Sequence, residues 1–585
     1  PNDQFFPNQW HLKNTQFPEE DVNIEYAWDE LDENNLPIRG TGINIAIVDD
    51  GVYYNHGDLN SNYNHNLSLN LNSEEFSTNA EPLGQYFASH GTSCAGVAGG
   101  MADNGKGIVG AAPNCNIIGI KLLESSVDDS QEAQALTHYK DQIHIYNNSW
   151  GPSDSGTIFS GPGPLTINSL EEGTSLGRQG KGNIYVWAGG NGRNNNDNSN
   201  RDGYCNSIYT IAVSAVNNEG KQSYYSEKGS NILIASPSSS PGITTSTIPN
   251  WSYQNGWDTT NLYPVKFNFG GTSSAAPLVS GIIALMLQAN EKLTWRDVMY
   301  ILIQSSRQND SNDPGWSYNN SQDSHYLSIN NTYQYNSHSG YHINDKYGFG
   351  VIDALCAVKL SKKWENDGLY VDNYLSIHAG DSNNPDFWKY INLDIPDNNE
   401  NGISDTLIVS NSVKVEQIEI WLDISHTYRG DLKITLTSPS GTESVLLDVN
   451  NYDFNNNINE WKFMTVRCWG EISEGAWTIN ISDNNVYYTG TFIKWKMFIH
   501  GTNIIQPYNL AANQWHIISL PSNLPELINK INYTISNFTS DYIPNYKNNS
   551  CHEFKYDSEN GYIWHLLNDN DIIEDGKAYW IETLS

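Results

Sequence analysis

The chain has 585 residues, with 66 Asp and Glu against 31 Lys and Arg, a formal net charge of −35 and a sequence pI near 4.6. Such a surface repels phosphate backbones and anionic membranes, which excludes nucleic acid as a partner and favours basic protein or peptide substrates. No apolar run reaches the roughly 18 residues that a membrane span needs, and 585 residues exceed what one hydrophobic core organises, so two or three domains are expected.

In chain order, the first chemical signal is Val48-Asp49-Asp50-Gly51, at the end of the apolar run Ile43–Val48. That run predicts a buried parallel strand, which would release the Asp49 carboxylate at the carboxyl edge of a sheet. Next comes Ser89-His90-Gly91-Thr92-Ser93-Cys94-Ala95-Gly96, whose small residues suit a helix start pressed against other backbone, with His90 at its end. A second buried strand, Gly182–Ala188, runs into Gly189-Gly190-Asn191-Gly192, where the Asn191 amide is a candidate oxyanion donor among glycines that admit a substrate backbone. Last is Gly271-Thr272-Ser273-Ser274-Ala275-Ala276-Pro277, opening an almost wholly apolar helix with Pro277 expected in its first turn.

Taken singly, these residues are a turn Asp, a helix-capping Ser and a loop Asn. Together, in the order Asp, His, Ser, they supply acid, base and nucleophile for acyl transfer: His90 takes the proton of Ser273 while Asp49 fixes and stabilises the imidazole.

With these motifs the chain resembles the kexin and furin branch of the subtilisin-like serine proteases. The likeness extends through Asn148-Ser149-Trp150-Gly151-Pro152, Arg201-Asp202-Gly203-Tyr204 and Leu293-Thr294-Trp295-Arg296-Asp297. It implies an α/β fold, a subtilisin-like parallel sheet with helices on both faces, and secreted, calcium-dependent cleavage after basic pairs such as Lys-Arg. By the same resemblance Asp154 and Asp202 line the S1 pocket, Asp50 faces the P2 side chain, Glu132 and Tyr204 lie toward S4, and Trp150 borders the substrate groove. One calcium site maps to Asp3, Asp58 and Asn104 with carbonyls near Met101, Lys106 and Ile108, and a second to Asp154, Asp197 and Glu227. Phe87 and Ser160 stand where the strictest members carry further acids, which leaves P2 and P4 selectivity open.

The resemblance continues past residues 1–364. Residues 365–502 read as short alternating strands, an all-β sandwich or jelly roll, similar to a P domain through Tyr428-Arg429-Gly430-Asp431-Leu432 and Glu474-Gly475-Ala476-Trp477. The Arg-Gly-Asp tripeptide is read there as structural. Residues 503–585 are expected to be a small β accessory module framed by Gln514–Pro521 and Gly576–Ile581. The chain opens at Pro1, just before Asp3 and Trp10, so removal of a signal and an inhibitory propeptide is expected, with a propeptide or chaperone assisting maturation and a monomer as product. Cys94 is expected to be a free thiol beside the site, with pairing among Cys115, Cys205, Cys356, Cys468 and Cys551 left open. Two other functions compete: a broad-specificity subtilisin, and a surface-binding protein with a dead catalytic domain.

Overall fold

Runs of Ile, Val and Ala form the frame that positions every candidate residue. The computed structural model describes residues 1–73, 77–82, 89–249, 262–321, 323, 339–364, 374–384 and 386–503, and the backbone of strands within 326–335, 515–519, 546–557, 561–567 and 578–583. Phe87, the exit Glu365–Gly368, Val371, Gln514 and Gly576 lie outside the described residues.

Two compact units are present, one of Pro1–Trp364 with Tyr370–Thr502, the other of Asn503–Ser585 with Glu365–Leu369. The first unit contains a seven-stranded parallel sheet of β1 (Asn44–Asp49), β2 (Leu69–Asn70), β3 (Asn116–Lys121), β4 (Ile145–Asn148), β5 (Ile184–Ala188), β6 (Thr210–Val216) and β7 (Ile234–Pro237). Its order is β2-β3-β1-β4-β5-β6-β7. Strand order reverses beside β1, so the crevice at the carboxyl ends of β1 and β4 is where an α/β sheet places a ligand. Both faces are covered. Helix α1 (Ile24–Trp28) is peripheral, while α2 (His90–Gly99), which packs against β1 and β3, lies with the long helix that follows Gly271. On the other face α3 (Asp129–Thr137) and α4 (Pro164–Leu176) pack Leu136 and Leu170 into a core with Val48, Ile120, Tyr146 and Trp187.

The long helix, α5 (Thr272–Ala289), corrects two expectations. It has 18 residues and is apolar enough for a membrane span by composition, yet 83% of that window is buried inside the protein, as a core helix must be. It also begins at Thr272, so Pro277 is its sixth residue rather than part of its first turn. Proline has no N–H for the carbonyl four residues back, which is that of Ser273. That carbonyl instead accepts from the Ser149 hydroxyl at 3.1 Å and the Cys94 thiol at 3.4 Å. Close packing of α5 on α2 requires glycine at 281, where a Cβ would lie 2.5 Å from the Ala111 Cβ and 2.8 Å from the Ala98 carbonyl.

Residues 374–502 of this unit form two packed antiparallel sheets. One runs Tyr374–Ala379, Gly490–Asn503, Val413–His426, Ile458–Thr465, with Lys389–Ile395 alongside Gly490–Asn503; the other runs Asn399–Val409, Gly475–Asp483, Leu432–Thr437, Glu443–Leu447. Alternate residues point inward, as the period of two demands: Ile418, Ile420, Leu422 and Ile424 meet Leu432, Ile434, Leu436 and Trp477 in one core. Within Arg429-Gly430-Asp431, Gly430 and Asp431 are buried in a short turn, and Arg429 is bonded to Asp453, which is a structural role.

This sandwich is fastened to the first domain by buried ion pairs, Arg201 with Asp453 and Arg296 with Glu416, and by Trp469, which meets the Tyr300 ring at 4.9 Å and Phe349 at 6.5 Å. Cutting the chain after Lys363 bares that apolar surface, a known aggregation liability. The truncated protein is expected in the pellet on sedimentation, and a soluble truncation that still hydrolyses peptide would show the sandwich to be dispensable.

The described residues of the second unit form a four-stranded antiparallel sheet, ordered Trp515–Ser519, Ala578–Thr583, Tyr546–Asp557, Gly561–Leu567. Its two framing segments pair directly, with Trp515 opposite Glu582 and Ile517 opposite Trp580. Cys94, Cys115, Cys205 and Cys468 are buried thiols outside any disulfide. The Cys551 side chain lies outside the described residues.

Candidate active site

Asp49 ends β1 and His90 opens α2, so one carboxylate and one imidazole emerge at the same sheet edge. The His90 Nδ1 faces both Asp49 carboxylate oxygens at 2.9 Å. Asp49 is buried, its side chain 1% exposed, whereas that of His90 is 36% exposed and so is reachable from the cleft. Gly91 makes this approach possible, since a Cβ there would sit 2.4 Å from the Gly51 carbonyl and 2.8 Å from the Asp49 Cβ. Burial opposes a charge on His90, but the Asp49 carboxylate prevails and holds the imidazolium pKa well above its usual value. The Phe269 ring meets His90 edge-on, with centroids 5.5 Å apart.

Ser273 lies in the first turn of α5, near the positive end of that helix. Its hydroxyl donates to the Ser149 carbonyl at 3.2 Å, while Ser149 returns a bond to the Ser273 carbonyl at 3.1 Å. Cys94 sits among the three, its Sγ 3.8 Å from an Asp49 oxygen, 3.9 Å from His90 Nδ1 and 3.4 Å from the Ser273 carbonyl. The Asn191 side-chain oxygen accepts from the Thr272 N–H at 2.8 Å and the Thr272 hydroxyl at 3.2 Å. That anchorage fixes which way the amide faces and commits its oxygen to α5, leaving the NH₂ end for a substrate oxyanion.

The pocket acids cluster as well. Asp154, Asp197, Asp202 and Glu227 line a cavity of about 20 Å³, room for one small ion or water. Asp154 accepts from the Asn191 N–H at 3.0 Å, Asp197 from Gly156 and Asn198, Asp202 from Tyr204 at 2.7 Å, and Glu227 from Gly192 at 2.9 Å. Burial, reinforced by the neighbouring carboxylates, pushes Asp202 up to about 7 and Asp197 and Glu227 above their usual range. Oxygen ligands that repel one another in a tight space are what a hard divalent cation relieves, so this donor set fits such an ion.

Asp3, Asp58 and Asn104 form a second oxygen cluster. Asp3 accepts from the Asp103 and Asn104 N–H groups, and Asp58 from the Asn104 amide at 2.9 Å and the Ile108 N–H at 2.8 Å. Burial, with the Asp3 charge adding to it, raises Asp58 to about 7. This set also fits a hard cation.

Other residues have local duties that their motifs did not reveal. Both Asp50 oxygens accept backbone N–H groups at the start of α2, from His90 at 3.0 Å and Gly91 at 2.7 Å; burial and then the Asp49 charge raise it to about 7. The Tyr204 hydroxyl donates to Glu132 at 2.8 Å, and its ring stacks on Trp187. The Trp150 indole donates to the Val48 carbonyl at 3.0 Å and meets Tyr204 edge-on. Trp150 and Tyr204 thus pack with Trp187, and Glu132 is tied to them through the Tyr204 hydroxyl.

Lys266, absent from the sequence reading, is buried beside the site. Its Nζ lies 4.7 Å from the centre of the Phe269 ring, and burial lowers its pKa to about 8 against the pull of Cys94, Asp50 and Asp49. No spacing pattern announces a lone lysine of this kind.

Comparison with known proteins agrees with this geometry. Residues 40–350 match the model of the subtilase family, and residues 415–499 that of the proprotein convertase P-domain. Among curated relatives, the chain is 33% identical over 527 residues to rat proprotein convertase subtilisin/kexin type 5, covering 87% of this chain and 26% of that protein. It is 34% identical to the human type 6 convertase, covering 90% and 51%, so it spans between a quarter and a half of the length of these relatives. A serine protease of Aeromonas sobria, solved in complex with the chaperone, shares the fold with a TM-score of 0.72 at 22% identity, covering 86% of this chain and 96% of that one. With acid, imidazole and hydroxyl brought to one sheet edge and a convertase-type sandwich fastened behind them, the chain belongs to the subtilase family and carries the P domain of its proprotein convertases.

Proposed function

We propose that this chain is a calcium-dependent serine endopeptidase of kexin type, acting outside the cell and cleaving after Arg or Lys, preferably at basic pairs. The observation that carries this reading is the meeting of a buried-carboxylate-to-imidazole pair at 2.9 Å with a four-acid cavity bordered by the same Asn191 loop.

Catalysis begins when the Ser273 hydroxyl turns from the Ser149 carbonyl to the exposed nitrogen of His90 and attacks the scissile carbonyl. His90 accepts the proton, Asp49 stabilises the resulting imidazolium, and the Asn191 amide donates to the oxyanion. His90 then protonates the leaving amine, and water repeats the sequence on the acyl-enzyme. The P1 cation is received by Asp154 and Asp202, since an unpaired cation taken from water would cost several kcal/mol. Calcium, when bound, neutralises the acids behind that pocket; Asp154, Asp197 and Glu227 would hold one ion, and Asp3, Asp58 and Asn104 another. Maturation with a propeptide or chaperone fits the fold shared with the chaperone-bound Aeromonas protease.

Replacing Asp202 by Asn tests the specificity. Loss of about 2–4 kcal/mol of transition-state binding is expected for Arg or Lys at P1, the cost of breaking a buried charge pair, with uncharged P1 residues barely affected. Equal loss of kcat/KM for both substrate types would assign Asp202 a purely structural role and favour a broad-specificity subtilisin.

A further inference from the structure

The first turn of α5 is denied one of its own hydrogen bonds and is tied to the sheet instead. Pro277 has no N–H for the Ser273 carbonyl, and the Ser149 hydroxyl donates to that oxygen at 3.1 Å. A serine hydroxyl has a single proton to give, so what aims it matters. The Asn147 amide donates to Ser149 Oγ at 3.0 Å, and the Ser280 hydroxyl donates to Asn147 Oδ1 at 3.0 Å. The series therefore runs in one direction, from Ser280 through Asn147 and Ser149 to the Ser273 carbonyl. Asn147 and Ser280 are 0% exposed and Ser149 4%, so bulk water does not compete for these groups, and the low-dielectric surroundings strengthen each bond.

Ser280 lies about two turns beyond Ser273 on the same helix. A buried helical serine can return its hydroxyl to the carbonyl four residues back, as Ser305 does to Ile301 and Ser361 to Ala357. Ser280 directs its proton to β4 instead. The Cys94 thiol also reaches the Ser273 carbonyl, at 3.4 Å, but a thiol is a weak donor. Ser149 grips Ser273 a second time through its own carbonyl, which accepts the Ser273 hydroxyl at 3.2 Å. That bond must break when the hydroxyl turns to His90. The bond to the Ser273 carbonyl need not, and it keeps the peptide of the nucleophile fixed while the side chain swings.

We propose that Ser280, Asn147 and Ser149 are positioning residues for the nucleophile, a hydrogen-bond series that replaces the helix bond Pro277 cannot make. The inference rests on the reading of Ser273 as nucleophile. In the full chain, Ser149→Ala should slow acylation of Ser273 by an uncharged alkyl fluorophosphonate about tenfold, the scale of one buried bond worth about 1.4 kcal/mol. Peptide kcat should fall in parallel, with KM within about twofold. Ser280→Ala should slow acylation about threefold; alanine favours a helix, so this variant guards against a folding failure in the first. Because both variants break one series, the double variant should stay within about twofold of Ser149→Ala, where independent sites would multiply to about thirtyfold. Pro277→Ala restores an N–H to the helix, so adding it to Ser149→Ala should bring acylation back to within about threefold of the parent.

A Ser149→Ala protein that melts earlier but acylates at the parent's rate would overturn the proposal and leave the series a purely structural one. Multiplied losses in the double variant, or no recovery with Pro277→Ala, would overturn it as well. A parent that takes up no fluorophosphonate at Ser273 would overturn the reading of the nucleophile itself, and this inference with it.

Discussion

Ser273→Ala is expected to lower kcat for peptide hydrolysis by about 10⁶, the scale known for removing the serine of a subtilisin triad. The hydroxyl is the one atom that forms the acyl bond, and neither His90 nor Cys94 stands in its place: Cys94 is buried, and its thiol is committed to the Ser273 carbonyl at 3.4 Å. The fold should survive, because the Ser273 hydroxyl makes only a 3.2 Å bond to Ser149, whose own hydroxyl still caps the carbonyl exposed by Pro277. Thermal unfolding should therefore stay within a few degrees of the parent, consistent with loss of about 1 kcal/mol or less for one modest hydrogen bond. Single-turnover kinetics with purified protein check this; activity within tenfold of the parent would remove Ser273 as nucleophile.

Asp49→Asn should cost about 10⁴ in kcat, again on the scale of the corresponding triad substitutions. The buried carboxylate orients His90 through two contacts at 2.9 Å and raises its pKa. His90 must be neutral to accept the serine proton, so the parent's kcat/KM should rise with pH through a pKa above 6.5. Without the carboxylate the imidazolium loses its stabilising charge, and the acidic limb of the residual activity should move to lower pH. A limb that stays in place would mean that another group controls it, with the buried Lys266 and Asp50 the charged neighbours to examine next.

The sequence was most legible where chemistry is carried by a local motif at the end of an element. Asp49 after an apolar strand, His90 and Ser273 at helix starts and Asn191 between glycines are each set within a few residues, and the sheet brings those ends together. Period-two alternation likewise made the sandwich visible, from Val415 to Leu422 above all. Local pattern failed where a duty depends on distant backbone. The hold of Asp50 on the start of α2, one backbone N–H on each of its oxygens, was not visible in its motif. Asn450 meets Gly156 across 294 positions, and Arg201 meets Asp453 across 252; nothing near either residue marks such a bond. The place of Pro277 was misjudged because helix α5 starts at Thr272, ahead of the apolar run that marked it.

The central claim is that a serine nucleophile and a set of buried acids act on one substrate, cutting it after a positive charge. It is tested most directly by kcat/KM of the purified chain for two peptides that differ only at P1, ending in Lys-Arg and Lys-Leu before the scissile bond, measured in calcium-containing buffer and again after chelation. Cleavage after Arg is expected to be preferred by about 30- to 1,000-fold, the 2–4 kcal/mol range of a buried charge pair, and to be lost when calcium is withdrawn. Equal cleavage of the two peptides, unaffected by chelation, would contradict it.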